Sequence, residues 1–416
     1  MTETASPPPL SLFTGHGIEL EYMIVDRDKH NVLAVTDKVL HAVAGDYVEE
    51  IAESDIAWSN ELVLHVIELK TNGPVPGLNA LPDAFQKEIH RINDILQALN
   101  GMLMPGAMHP WMNPALETRL WPHGYNEVYA AFDRIFDCQG HGWSNLQSMH
   151  INLPFADDHE FAQLHGAIRC LLPILPALAA SSPLLQWDLT GLMDTRLDMY
   201  RTNAKLIPSI TGLVVPEPAN SRQDYAQNIL APMYADIAPQ DPDGVLQFEW
   251  LNARGAIARF ERNTIEIRVL DTQECPAMDI AIAQGVCAAL RALVAGKFRS
   301  LPEQNELETS VLAQIFNDCV HAADHAVIEN REYLRLFNFP ERRAQAHELW
   351  QHLLESVPRT QSESEWRQHL QFILQNGCLA RRITRAVAGA RRSHIQETYR
   401  VLCRNLAEGS RFEGIG

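Results

Sequence analysis

The chain has 416 residues, 46% of them hydrophobic and 21% charged, so it can build a sizeable core without disulfide or metal staples. A formal net charge of −18 argues against nucleic acid or an anionic membrane as the main partner. An anionic substrate would need metal ions or local arginines to reverse the sign at its site. The seven cysteines are scattered with no CxxC pair, which reads as reduced thiols in a cytoplasmic protein.

Residues 1–14, within "MTETASPPPLSLFTG", read as a flexible lead-in without the features of a signal peptide. "GIELEYMIVD" from Gly17 reads as a strand whose alternation puts Glu19 and Glu21 on one face, about 7 Å apart. "NELVLHVIELKT" (60–71) reads as one or two further strands carrying Glu61, His65, Glu68 and Lys70. Leu81, Phe85, Ile89, Ile92 and Leu96 recur at helical spacing within 81–100, and "NEVYAAFDRIF" (126–136) also reads as helix. "LQSMHINLPF" (146–155) returns to strand with His150 and Asn152 on one face, and Asp157 or Asp158 is the expected N-cap of the next helix. "CLLPILPALAASSPLL" (170–185) is apolar, but prolines break it and it is too short to span a bilayer.

The stretch 200–247, rich in Pro, Asn, Asp and Gln, reads as long loops of the kind that carry sites. "GAIARFERNTIEIRVLDTQ" (255–273) reads as strand, with Arg262, Glu266 and Arg268 sharing a parity. From about 277 to 407 nearly everything reads as helix, broken at "RSLPEQNE", "FNFPERR" and "VPRTQSESE". Strands first and helices last favour α+β over a doubly wound sheet. The expected organisation is one catalytic domain over 15–300, with a helical region over 301–416 packed on it. Neither GxGxxG nor GxxxxGK[ST] occurs, so any nucleotide is held in another way.

Each polar strand has an ordinary reading by itself. Glu19 and Glu21 could face solvent, His150 could be a packed histidine, and Glu266 and Arg268 could be a weak surface pair. Four such strands, carrying carboxylates, a histidine and arginines, instead suggest a concave sheet lining a charged cleft. Crowded carboxylates are stable when they share divalent cations. Oxygen ligands suit Mg²⁺, and a histidine among them suits Mn²⁺ or a mixed site. Arginines on the same surface grip phosphate or carboxylate oxygens in bidentate fashion. Acid, metal and arginine on one sheet are the equipment of phosphoryl transfer, which needs positioning and charge neutralisation more than a nucleophile.

These strands, in this order, resemble the type 2 glutamate–cysteine ligase and carboxylate–amine ligase family. "GIELEYMIVD" resembles its opening G-x-E-x-E strand, and Glu61, Glu68 and Thr71 its E-x6-E-[IL]-x-T segment. "QSMHINL" is similar to its H-x-H strand, with Asn152 in place of the second histidine. Ser182, Pro183, Asp188 and Gly191 match its S-P…D-T-G run, while Thr264, Glu266, Arg268 and Asp271 match T-x-E-x-R-x-x-D, with Asn263 in place of the usual proline. The resemblance implies a glutamine synthetase-like α+β fold. Its curved, mainly antiparallel sheet would form a concave active-site cleft backed by helices, with a helical C-terminal part.

The implied activity is ATP-dependent joining of a carboxylate and an amine through an acyl phosphate, most simply glutamate–cysteine ligation. The implied cofactors are ATP and Mg²⁺ or Mn²⁺, and the partners are small-molecule substrates, with room for a homodimer. By residue match, Glu19, Glu21, Glu61, Glu68, His150 and Glu266 would ligate metal. Arg268 and Arg262 would stabilise the transferring phosphoryl, Arg201 would meet the substrate carboxylate or phosphates, and Arg268, Arg262 and Glu68 would border the nucleotide. Trp187 would stand near the acceptor pocket. Arg381, Arg382, Arg385, Arg391 and Arg392 read most simply as a solvated basic face. Two other readings stay open: a sister ligase or kinase with another amino acid, amine or guanidino acceptor, and a non-catalytic descendant that binds a nucleotide or amino acid.

Overall fold

A computed structural model describes residues 9–124, 126–357, 364–389 and 391–415. The first eight residues of the expected lead-in, and most of the expected break at 357–365, lie outside the described residues.

The main sheet is built from β1 (Gly17–Asp26), β2 (Glu50–Ile51), β3 (Ile56–Asn60), β4 (Val66–Thr71), β5 (Gly101–Met104), β6 (Ser148–Pro154), β7 (Ala256–Arg259) and β8 (Thr264–Asp271). Its order is β2–β3–β4–β1–β6–β8–β7, every pairing is antiparallel, and β5 pairs with the second half of β1. The helices used below are α1 (Leu81–Gln97), α2 (Asn126–Phe136), α3 (His141–Ser144), α4 (Asp158–Leu171), α5 (Thr195–Asn203), α6 (Pro276–Val294), α7 (Ser364–Asn376), α8 (Leu379–Val387) and α9 (Arg392–Glu408). This is the mixed α+β architecture with an open antiparallel sheet that the sequence leads one to expect.

One face of β1 supplies the core. Ile18, Leu20, Tyr22 and Ile24 are fully buried in one cluster with Phe85, Ile89 and Ile92 of α1 and Ile280 and Ala281 of α6. The apolar positions of α1 are three and four apart and all face inward, as the periodicity requires. Among the described residues, α6 is the one helix long and apolar enough to cross a membrane, and it lies mostly buried in this core, packed against α1, α4 and α7. Asp157 caps α4, its carboxylate accepting from the Glu160 amide at 2.9 Å.

The opposite face of β1 changes character along its length. Glu19 and Glu21 line an open cleft, but Met23 and Val25, with the same parity, join a second cluster with Trp111, Leu379, Ile383, Tyr399 and Leu402. The C-terminal helices therefore cover the continuation of the cleft face. That is why "YMIVD" reads as a continuous apolar run: both faces are buried there.

Several expectations need correction. Residues 200–247 are only about half loop: a helix capped by Ser221 runs on through a π turn to Ile237, burying Tyr225, Ile229, Met233 and Ile237. The apolar spacing is helical there, and the polar content hides it. Glu61 lies on neither strand of its segment, because β3 ends at Asn60 and β4 begins at Val66. Arg262 sits in the turn between β7 and β8, not on a strand. Trp187 stacks on Trp111 at 4.5 Å in the second cluster, away from the cleft.

Arg381 and Arg382 do not form a solvated face. Arg381 Nε donates to Asp324 at 2.7 Å, and Arg382 Nη1 donates to the fully buried Glu274 at 2.5 Å. Removing one partner of a buried pair leaves an uncompensated charge. Arg382→Ala is therefore expected to lower unfolding stability by about 3–5 kcal/mol in urea denaturation. The exposed Arg385, three residues further on, should cost under about 1 kcal/mol when replaced by Ala.

Candidate active site

The sheet gathers its polar residues by register. Glu19 of β1 stands opposite Lys70 of β4 and His150 of β6, Glu21 opposite Glu68, and Asn152 opposite both Gly17 and Glu266. A Cβ at Gly17 would meet that of Asn152 at 3.0 Å, so glycine permits this close crossing. Odd positions of β1 and even positions of β4, β6 and β8 thus share one face, the floor of a cleft of about 790 Å³.

At its centre, Glu19 Oε2 lies 2.7 Å from His150 Nδ1, and Glu19 Oε1 accepts from Asn152 Nδ2 at 2.9 Å. Glu21 Oε2 accepts from the Ser148 amide at 2.7 Å, and Glu68 Oε1 from the Ser59 hydroxyl at 2.6 Å. Two constellations result: Glu19, His150 and Glu266, and Glu21, Glu68 and His150, each with ligand atoms within 4.8 Å of one another. Carboxylate oxygens with one imidazole nitrogen form a hard donor set, which fits Mg²⁺ or Mn²⁺. Glu61 lines the same cleft but belongs to neither constellation.

Burial and mutual repulsion dominate the electrostatics. Burial opposes ionisation of Glu19, but the hydrogen bond and charge of His150 outweigh it and hold the carboxyl down at about 2. Burial also works against the His150 cation, yet Glu19, Glu21 and Glu266 raise its pKa to about 9. Burial and the charge of Glu19 push Glu68 up to about 7 despite Lys70. Burial, then Glu21 and Glu68, push Glu61 well above the usual carboxylate range. Glu266 moves the other way: burial is outweighed chiefly by Arg268, and its carboxyl stays below its usual value.

The arginines occupy the β8–β7 side. Arg268 Nε and Nη2 both donate to Glu266 Oε1, at 3.1 and 2.5 Å, and Arg259 Nη1 donates to Glu266 Oε2 at 3.4 Å. The register of β8 against β6 shifts between Ile267 and Leu270, a bulge of the kind that re-aims side chains at sites. Arg196, also in the cleft lining, is held from behind. Its Nε donates to Asp271 at 2.5 Å, and the same carboxylate accepts from the Ser181 amide at 2.8 Å and the Ser182 hydroxyl at 2.9 Å.

The structure therefore brings Glu19, Glu21, Glu61, Glu68, His150, Glu266, Arg262 and Arg268 to one cleft. Arg262 reaches it from the rim, with its side chain 65% exposed. Arg201 lies outside the lining and pairs with Asp198 at 2.6 Å, while Arg196 of the same helix faces in. Five residues rotate a side chain about 140° around a helix, so the two arginines cannot share a face. Sequence reasoning missed Arg196 and Arg259, and also Gly142 and Trp143 of "GHGW", which line the cleft. The one signal for Arg196 was its place in "DTRLDMYR", directly after the S-P…D-T-G run.

Comparison with known proteins adds four findings. The model of a family described as glutamate–cysteine ligase family 2 matches residues 16–403. An uncharacterized protein of Archaeoglobus fulgidus is 31% identical over 364 residues, covering 83% of this chain and 94% of that protein. A candidate glutamate–cysteine ligase 2 of Bradyrhizobium diazoefficiens is 24% identical over 275 residues, covering 64% of this chain and 56% of that protein. Among solved structures, glutamate–cysteine ligase of Francisella tularensis in complex with AMP has a TM-score of 0.57 at 11% identity. The match covers 95% of this chain and 88% of that one, and it is a likeness of fold.

The shifted groups set how metal-free stability follows pH. Glu68, raised from 4.5 to about 7, and His150, raised from 6.5 to about 9, both hold their protons more tightly folded than unfolded. Their contribution is complete below the unfolded values and is lost as pH rises through about 7 and then about 9. Glu19 contributes above 4.5 and loses that only toward about 2. The melting temperature in a chelator is expected to fall as pH is raised from 6 to 9, and millimolar Mg²⁺ or Mn²⁺ should reverse the fall. A melting temperature that rises across that window would contradict the assignment.

Proposed function

The chain belongs to the glutamate–cysteine ligase family 2, and from that premise and the geometry of its cleft we propose an ATP-dependent carboxylate–amine ligase of the glutamate–cysteine ligase type. The observation that carries the reading is one sheet face with two carboxylate–histidine constellations beside Arg196, Arg259 and Arg268. In the first step a donor carboxylate oxygen attacks the γ-phosphorus of ATP, the bond to the β–γ bridging oxygen breaks, and ADP leaves. In the second the amine nitrogen attacks the acyl carbon, the acyl–oxygen bond breaks, and phosphate and one proton are released.

Glu19, Glu21, Glu68, His150 and Glu266 would hold divalent cations, which when bound supply positive charge opposite the ATP phosphates. Ser59 and Ser148 orient Glu68 and Glu21 through their hydrogen bonds, so the carboxylate oxygens are set before substrate arrives. Arg268 and Arg259, anchored on Glu266, present guanidinium donors where charge spreads over the transferring phosphoryl. Arg196 meets the same volume and is held in place by the Asp271 carboxylate and the Arg268 carbonyl, to which it donates. Water exclusion matters because the acyl phosphate hydrolyses, and the apolar cover over Met23 and Val25 closes the cleft face on that side.

Purified protein with ATP, Mg²⁺ and glutamate, screened against a panel of amines, is expected to release ADP only when an amine is present. If no carboxylate–amine pair gives turnover and calorimetry detects no Mg·ATP binding, the ligase reading fails. Arg268→Lys keeps the charge facing Glu266 but loses the planar fork, so kcat should fall by about 10²–10³-fold with the melting temperature nearly unchanged. Loss of the fold in that variant would mean that Arg268 is structural.

A further inference from the structure

Behind Arg196 the structure holds two carboxylates against one guanidinium. Asp271 ends β8, and Asp194 caps α5, its Oδ1 accepting from the Leu197 amide at 2.9 Å. Both acids are 0% exposed, and the Ser182 hydroxyl lies between them, 2.9 Å from Asp271 Oδ2 and 3.5 Å from Asp194 Oδ1. The cap bears on the cleft because α5 turns Arg196, Tyr200 and Asn203, spaced four and three apart, into its lining. The Arg196 amide also donates to Ser182 Oγ, at 3.1 Å, so the first turn of the helix is tied to the same hydroxyl.

Donors are shared unequally between the two acids. Asp271 Oδ2 accepts from the Ser181 amide at 2.8 Å and from Ser182, and Asp271 Oδ1 accepts from Arg196 Nε at 2.5 Å. Asp194 has the Leu197 amide on one oxygen, while its Oδ2 is buried with no donor among the described residues. Ser182 has one hydroxyl proton and cannot serve both acids. The two carboxyl groups meet directly, and two ionised groups in contact in a dry interior repel strongly. Burial, then the charge of Asp271, push the Asp194 carboxyl well above the usual carboxylate range. The N-terminus of α5 and the charge of Arg196 pull the other way. Arg196 nevertheless aims its Nε at Asp271, and the cap bond to Leu197 needs only a lone pair, which a neutral carboxyl keeps.

We propose that Asp194 is a neutral acid sharing its proton with Asp271, and that this dyad is the positioning element of Arg196 in the reaction; the inference rests on the ligase reading above. The Asp194 O–H donates to the Asp271 carboxylate, and Asp271 keeps the charge that holds Arg196 Nε. One negative charge then stands against one positive charge, and no buried charge is left over. The Nη groups of Arg196 reach the Arg268 carbonyl at 3.3 and 3.4 Å, so the dyad also sets Arg196 against the backbone of the other cleft arginine. A second negative charge would compete for the guanidinium and draw it off this line.

The test compares Asp194→Asn, Asp194→Ala and Asp271→Asn in the whole protein. Asparagine caps a helix as well as aspartate does, and its amide N–H takes the place of the O–H toward Asp271. Asp194→Asn should therefore melt within about 2 °C of the native chain. Its infrared difference spectrum should show the loss of one protonated-carboxyl carbonyl band. Asp194→Ala has neither cap nor donor and should melt lower. Its kcat for ADP release should fall at least about tenfold with the KM for ATP within about twofold, and Asp194→Asn should restore kcat. Asp271→Asn should lose at least as much kcat as Asp194→Ala, because it removes the charge that holds Arg196. An unchanged carboxyl band in Asp194→Asn, a melt or kcat of that variant as low as in Asp194→Ala, or native kcat in Asp194→Ala would each overturn the proposal. So would native behaviour of Asp271→Asn, which would put the proton on Asp271. If the native chain turns over no carboxylate–amine pair and binds no Mg·ATP, the ligase reading fails, while the infrared and melting comparisons still decide whether the dyad shares a proton.

Discussion

The structure depends on holding carboxylates together against their repulsion. Glu19, Glu21, Glu68 and Glu266 share one face of the central strands, partly withdrawn from water, where charge–charge terms are several times stronger than in bulk solvent. His150 lies within 4 Å of three of them and is the pivot of the arrangement. Neither the histidine nor the arginines fix the carboxylate spacing. The opposite face of β1 does, because Ile18, Leu20, Tyr22 and Ile24 are locked in the main core, and alternation then leaves the acids no choice of direction. Apolar burial beneath the sheet is what keeps the charged face assembled.

A second layer carries this order away from the cleft. The end of β8 delivers two buried acids in close succession. Asp271 is pinned by Arg196 from α5 and by Ser181 and Ser182, and Glu274 is pinned by Arg382 from α8 and by the Phe412 amide. One short stretch of chain thus ties the cleft arginine on one side to the C-terminal helices on the other. Buried ion pairs of this kind add little net stability over a hydrophobic substitute, but they fix one geometry because every alternative strands a charge. The C-terminal helices also cover Met23 and Val25, so the sheet face is open only where its side chains are polar. The family resemblance had picked out Ser182 and Asp271 by pattern, and the contacts give that pattern a physical reason.

Much of this was legible in the residues. The alternation of β1, the helical spacing of α1, the Asp157 cap and the carboxylates of β4 and β8 are local signals, set within a few residues and independent of what packs nearby. Other features were not. The helix running to Ile237 was hidden by polar composition, since its stability comes from burying a few side chains against distant elements. Arg201 and Arg196 are equivalent by residue type, and only the packing of α5 turns one toward the cleft and the other toward Asp198. Arg382 looked like one of five surface arginines until Glu274, 108 residues earlier, took its charge.

The sequence by itself determined which residues could carry charge on a common strand face, because strand alternation is a property of the covalent chain. It also determined the α+β class, through the order of its elements, and the family, through short patterns that keep their spacing. Tertiary structure alone decided which arginines reach the cleft, that Glu61 stands apart in a loop, and that aromatic rings from α2, α3 and the segment around Trp250 meet. Those outcomes depend on contacts between segments dozens of residues apart, and no local periodicity encodes which segments will meet.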